Sequence, residues 1–205
     1  MPVIVVANPK GGVGKSTLST NIAGYLASKG HRVMLGDVDR QQSARTWLGL
    51  RPAAAAPIAA WEVAHDDVVR PPKGTSHVVL DTPASLHGKR LDEVMKLADK
   101  VLVPLQPSIF DIHATHAFLR QLLAHKRADK VSVRVVGMRM KEGTIAADQL
   151  RQFLGTVAVP ALGHLRDTQN YIHLAARGLT LWDVAEGRVE RDLAQWQPIV
   201  EWIDS

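Results

Sequence analysis

Apolar residues along this chain follow two alternating patterns. Short runs of valine, isoleucine and leucine, near-continuous in hydrophobicity, recur between longer stretches in which apolar residues return every three or four positions. The runs VIVVAN (3–8), RVMLGDVD (32–39), HVVLDTP (77–83), KVLVPLQ (100–106), SVRVVGM (132–138) and AVPALGHL (158–165) are predicted strands. Their near-continuous apolar character suits strands covered on both faces, as in a parallel sheet. Helices are predicted from Gly14, near Gln42, and within residues 86–100, 111–127, 144–154 and 168–178. This order predicts βαβ units, hence an α/β fold with a mostly parallel twisted sheet and helices on both faces. Residues 50–74, rich in proline and alanine, break the alternation and are expected to be loop with short elements, including a third strand near Trp61. With no internal repeat, one domain over residues 1–205 is expected.

The first strand runs directly into NPKGGVGKST, residues 8–17. After a buried strand, Gly11, Gly12 and Gly14 let the backbone wrap closely around an anion. Successive N–H groups and the following helix N-terminus then supply fixed positive potential. In such a loop Val13 is carried along with the glycines, Lys15 sets its ammonium on the β- and γ-phosphates, and Ser16 offers its hydroxyl to Mg²⁺. Thr17 falls near the α-phosphate. Two strands end in carboxylates that fit the same site. Asp81 is placed to hold Mg²⁺ through water, as a Walker-B aspartate does. Asp37 and Asp39 end the second strand, where a carboxylate can orient the attacking water or join the metal shell. Asp39 also reads equally well as a helix N-cap. Two features remain odd: Pro9 stands where the first glycine of G-x-x-x-x-G-K-[ST] belongs, and a second lysine, Lys10, opens the glycine run.

Composition narrows the choices. The chain has no cysteine, which excludes disulfides, thiolate zinc sites and cysteine-ligated iron–sulfur clusters. The apolar start is too short to span a bilayer and lacks the basic start and cleavage site of a signal peptide, so a cytoplasmic location is expected. A net charge of +5 favours contact with polyanions.

The segments KGGVGKST, DVDRQQSARTW, LDTPAS and VPLQPSIFDIHAT resemble the deviant Walker-A ATPases of the ParA/MinD type, above all the small ParA partition ATPases without an N-terminal helix-turn-helix domain. The segment LRDTQNYIHLAARGLTLWD is similar to their region after the last core strand, so the resemblance covers nearly the whole chain. It implies a P-loop ATPase that uses ATP and Mg²⁺. It also implies that two subunits sandwich ATP, with Lys10 of each reaching the other's nucleotide, as an arginine finger does. On this resemblance Lys10, Lys15 and Asp39 are the catalytic residues, and residues 10–17 bind the nucleotide. Two positions depart from the family pattern. Arg40 replaces the proline that usually follows the D-x-D pair, and Met138 or Arg139 stands where an asparagine often contacts adenine.

Nitrogenase iron proteins and arsenite-pump ATPases need cysteines, and the related tyrosine kinases need a tyrosine cluster, whereas this chain has only Tyr25 and Tyr171. MinD-type proteins end in a basic amphipathic helix on anionic membrane. Residues 189–205 do carry Trp196, Ile199, Val200 and Ile203 at helical spacing. The segment is nonetheless net acidic and is expected to pack on the domain, with Pro198 starting or kinking its helix. The resemblance therefore implies a dimer that binds DNA non-specifically on the nucleoid and positions a cargo, with a ParB-like or other adaptor stimulating hydrolysis. Lys126, Arg127, Lys130, Arg134, Arg139, Lys141, Arg151 and Arg166 gather in the C-terminal half of the sequence. Of these, Lys141, Arg151 and Arg166 are the expected DNA contacts. A MinD-like membrane switch and a non-hydrolysing scaffold are the alternatives. His113 and His116 lie three apart on a helix, but no third ligand stands at a suggestive spacing, so they read as packing or surface residues.

Overall fold

The computed structural model describes residues 1–61 and 73–205. Residues 62–72, part of the expected proline- and alanine-rich loop, lie outside the described residues. The elements follow in the order β1 (Val3–Val6), α1 (Lys15–Ser28), β2 (Val33–Asp37), α2 (Ser43–Leu50), β3 (Ile58–Trp61), β4 (His77–Asp81) and α3 (Gly88–Leu97). Then come β5 (Lys100–Leu105), α4 (Ile109–Leu123), β6 (Ser132–Met140), α5 (Ile145–Leu154), β7 (Ala161–Arg166), α6 (Gln169–Ala175) and α7 (Glu190–Asp204). The described strands form one sheet in the order β3-β2-β4-β1-β5-β6-β7, and every pair is parallel.

Alternate residues of one strand feed different cores. Val3 and Val5 of β1 join the side covered by α3, α4 and α5, while Ile4 and Val6 join the side covered by α1, α2 and α7. All four are buried, which is why the strand reads as one apolar run. From β1 the chain winds outward to β2 and β3 on one side and later to β5, β6 and β7 on the other. In an open parallel sheet ligands bind where the winding reverses, at the carboxyl ends of the strands. Here that point lies at the end of β1, where the glycine loop begins.

The expected third strand near Trp61 exists, as the edge strand β3. The last strand starts at Ala161, later than the sequence pattern predicts, after Pro160, which has no N–H to give to the ladder. Pro198 lies inside α7 and does not start it. The apolar face of α7 is packed inward: Trp196, Ile199, Trp202 and Ile203 are buried. Among the described residues no helix is long and apolar enough to cross a membrane.

Candidate active site

The glycine loop is tied down from several sides. The buried Asn8 donates its amide to the Pro104 carbonyl (2.6 Å) and the Thr115 hydroxyl (2.9 Å), and its own oxygen accepts from the Lys10 N–H (2.8 Å). Gln106 donates to the Gly12 carbonyl at 2.7 Å. Gly14 sits at φ 98°, in the left-handed region, and a Cβ there would lie 2.6 Å from the Met138 Cε. The left-handed backbone favours glycine, and any side chain there would also push the Met138 methyl aside. Asn8 and Gln106 escape a motif search because their roles depend on contacts across the sheet.

α1 starts immediately after Gly14, with Lys15 in its first turn. The Lys15 ammonium donates to the Lys10 carbonyl at 2.7 Å. Burial lowers the Lys15 pKa, with Asp81 and Asp39 acting against that loss. Lys10 behaves differently. It is absent from the walls of the adjoining cavity, and its ammonium lies 3.8 Å from Asp111, at the start of α4.

Strand register gathers the carboxylates. Asp81 pairs with Val6 on one side and Asp37 on the other, so both acids end beside the loop. The Asp81 carboxylate accepts from the Ser16 hydroxyl (2.6 Å) and the Ser19 hydroxyl (3.2 Å). Burial pushes its pKa up to about 7, against the Ser16 hydrogen bond. Ser16 lines the cavity beside the loop and Asp81 stands directly behind it; both are hard oxygen donors, and a divalent cation would stabilise the buried Asp81 carboxylate in its charged form. This donor set fits Mg²⁺.

Asp37 and Asp39 have distinct tasks. Asp37 accepts from the backbone N–H groups of Ala44 (2.8 Å) and Arg45 (3.2 Å), in the first turn of α2, and from that of Asp39 (3.0 Å). Burial raises its pKa and these bonds oppose the rise. The helix-capping role considered for Asp39 therefore falls to Asp37. Asp39 accepts from the Gln41 N–H at 3.0 Å and lines the phosphate cavity, as Asp37 does not. α2 follows Gln42, which holds φ 48°. Its far end is fixed as well: Arg51, the next residue, binds the buried Asp183 carboxylate through two nitrogens at 3.0 and 2.9 Å.

The phosphate cavity measures about 750 Å³ and is lined by Gly11, Gly12, Gly14, Lys15, Ser16, Thr17, Asp39 and the guanidinium-bearing Arg40, Arg90 and Arg139, among others. Arg90 comes from the first turn of α3 and carries no motif that would have marked it. A second cavity of about 460 Å³ adjoins it, between the ends of β6 and β7 and α6.

The basic residues that gather in sequence do not gather in space. Lys126, Arg127 and Lys130 precede β6 and Arg134 lies near its start, whereas Lys141 follows its end. At about 3.3 Å per residue, the nine-residue strand separates the two groups by roughly 30 Å. Lys141 and Arg151 are exposed at α5, where Arg151 pairs with Asp148 at 2.6 Å. Arg166 lines the second cavity and is held bidentately by the buried Asp192 at 2.5 and 3.2 Å.

A phosphate loop on the first strand of an open parallel sheet, with Lys15, Ser16 and a strand-end Asp81, defines a P-loop ATPase that uses ATP and Mg²⁺. The chain belongs to the CobQ/CobB/MinD/ParA nucleotide binding domain family, whose model matches residues 4–181. It is 29% identical over 199 residues to the maintenance of carboxysome distribution protein A of Halothiobacillus neapolitanus, covering 92% of this chain and 91% of that protein. It is 39% identical over 112 residues to the protein of the same name from Gloeobacter kilaueensis, covering 54% of this chain but only 51% of that one. A plasmid partition protein from Borrelia burgdorferi, bound to AMPPNP, shares the fold with a TM-score of 0.74 at 17% identity, covering 98% of both chains.

Proposed function

We propose that residues 1–205 act as one ParA-like ATPase domain that dimerises around ATP, binds DNA without sequence preference and positions a cargo until an adaptor triggers hydrolysis. The observation that carries this reading is the placement of Lys10. A lysine at the mouth of a phosphate loop that does not line its own phosphate cavity has its charge available to a facing subunit. Its ion pair with Asp111 is half-exposed on the lysine side. Such a pair is weak, so Lys10 can exchange it for a partner's phosphate at small cost. Relatives named for carboxysome distribution and a structural neighbour named for plasmid partition support a positioning role.

In this mechanism the loop amides and Lys15 bind the β- and γ-phosphates, and Thr17 lies at the α-phosphate. Ser16, with Asp81 through water and Asp37 in the outer shell, would hold Mg²⁺, which would supply charge neutralisation at the phosphates. Asp39, on the cavity wall, orients the attacking water towards the γ-phosphate. Lys10 of the facing subunit neutralises the charge that builds during transfer. When the γ-phosphate leaves, the lysine loses its target and the dimer comes apart.

We assign Lys141 and Arg151 to the DNA surface, with Arg166, whose charge Asp192 offsets, at its inner margin. Contacts of this kind neutralise phosphates and release counterions without reading bases. The membrane alternative finds no support in α7, whose apolar face is buried. A mobility shift on two unrelated duplexes, with ATP or ADP at two salt concentrations, tests the reading. Binding should require ATP, fall steeply with salt and ignore sequence. Arg151→Glu should weaken it and leave ATP-dependent dimerisation intact. Binding indifferent to nucleotide, or confined to one duplex, overturns the reading. Vesicle binding in place of DNA binding would move it to a membrane switch.

A further inference from the structure

The phosphate cavity and the second cavity meet at Gly14, Thr17 and Arg139, which line both. A nucleotide whose phosphates lie in the loop has its α-phosphate at this seam. Its base then faces the second cavity, whose walls include Met138, Tyr171, Ile172 and Ala175. We propose that Arg139 holds the nucleotide at the joint between base and phosphates, with its guanidinium on the α-phosphate and against the face of the base. The assignment rests on the ATP-binding reading of the loop.

The backbone at this residue is built for the purpose. Arg139 has φ 50°, and only one other non-glycine residue among those described, Gln42, has positive φ. In a regular strand residues two apart point to the same face. Here Met138 joins the core on the α1 side and Met140 joins the opposite core. The register between β6 and β7 shifts at the same place, between Gly137 and Met140. This irregularity turns Arg139 out of the sheet and over the seam, as bulges beside active sites re-aim side chains. Left-handed backbone at a non-glycine residue carries strain that surrounding structure must hold in place.

Charge points the same way. The other guanidinium on this wall, Arg166, is already bound by Asp192. Among the described residues no hydrogen bond or ion pair engages the guanidinium of Arg139. A guanidinium suits both halves of the seam, since it hydrogen-bonds phosphate oxygens and stacks on aromatic faces.

The test is the affinity of wild type, Arg139→Ala and Arg139→Lys for ATP and for ADP, by calorimetry with Mg²⁺. Loss of one charge-assisted contact should weaken ATP and ADP by the same factor, about tenfold, because the α-phosphate and the base are common to both. Arg139→Lys should recover part of the loss. Arg139→Gly, which suits the left-handed backbone, should match Arg139→Ala and so exclude a folding defect. Unchanged affinities overturn the assignment. So does a loss confined to ATP, which would place the guanidinium on the γ-phosphate or a partner subunit. A wild-type protein that binds neither nucleotide overturns the phosphate-loop reading itself, and this assignment with it.

Discussion

Asp81→Asn separates two duties of one carboxylate. Asp81 is 1% exposed, and burial raises its pKa from the ordinary 3.8 to about 7. Between those values the folded protein keeps a proton that the unfolded chain has lost. Stability without nucleotide or metal therefore falls as pH rises through this window, and the full penalty is present above it. At about 1.36 kcal/mol per pH unit, the gap corresponds to about 4 kcal/mol. Asparagine has nearly the same shape and can still hydrogen-bond the Ser16 and Ser19 hydroxyls, but it carries no charge to desolvate. The variant should be more stable than wild type near pH 8, by up to about 4 kcal/mol, with the difference fading towards pH 4. Urea denaturation followed by tryptophan fluorescence at several pH values, without Mg²⁺ or nucleotide, measures this directly. With Mg²⁺ present, the same variant should bind ATP no better than it does without the metal. A stability difference independent of pH would refute the electrostatic reasoning, and an intact Mg²⁺ dependence would remove Asp81 from the metal's shell.

Two further substitutions probe the catalytic assignments. Lys10→Ala should bind ATP as a monomer with nearly wild-type affinity yet fail to dimerise, and hydrolysis should slow by at least about a hundredfold, as for a finger supplied in trans; light scattering with ATP and Mg²⁺ checks the first and phosphate release the second. Asp39→Ala should slow hydrolysis by about a hundredfold or more while ATP binding survives, so that the dimer accumulates; unchanged turnover would return the role to Asp37.

The parts of the site that lie in consecutive residues were legible from the sequence. Residues 10–17 read as a phosphate loop because the motif, the preceding strand and the following helix are all local. The position of Asp81 beside the loop was legible because its strand ends where a parallel sheet places ligands. Which of Asp37 and Asp39 caps α2 was not, because both sit in one D-x-D pair and only the entry angle of α2 decides which one meets its amides. The spatial arrangement of the basic residues was hidden for a related reason. Nearness in sequence does not survive passage through β6, whose length carries its flanking cations to opposite ends of the sheet. Asn8 and Met138 act on the loop through partners about a hundred residues away or more, a distance at which local pattern is silent.

The fastening of α2 at both ends limits how the site can move. Asp37 grips its first turn, and Asp183 grips the arginine that follows its last. Between the end of β2 and the start of α2 only residues 38–42 remain, and Gln42 already occupies a left-handed turn. Any nucleotide-driven displacement of Asp39 is thereby confined to a hinge of five residues, pivoting on a helix that stays still. Such a hinge can reset without breaking the helix cap or the buried ion pair, and whatever docks over Arg40 and Gln41 has a direct grip on the Asp39 carboxylate, which accepts from the Gln41 N–H.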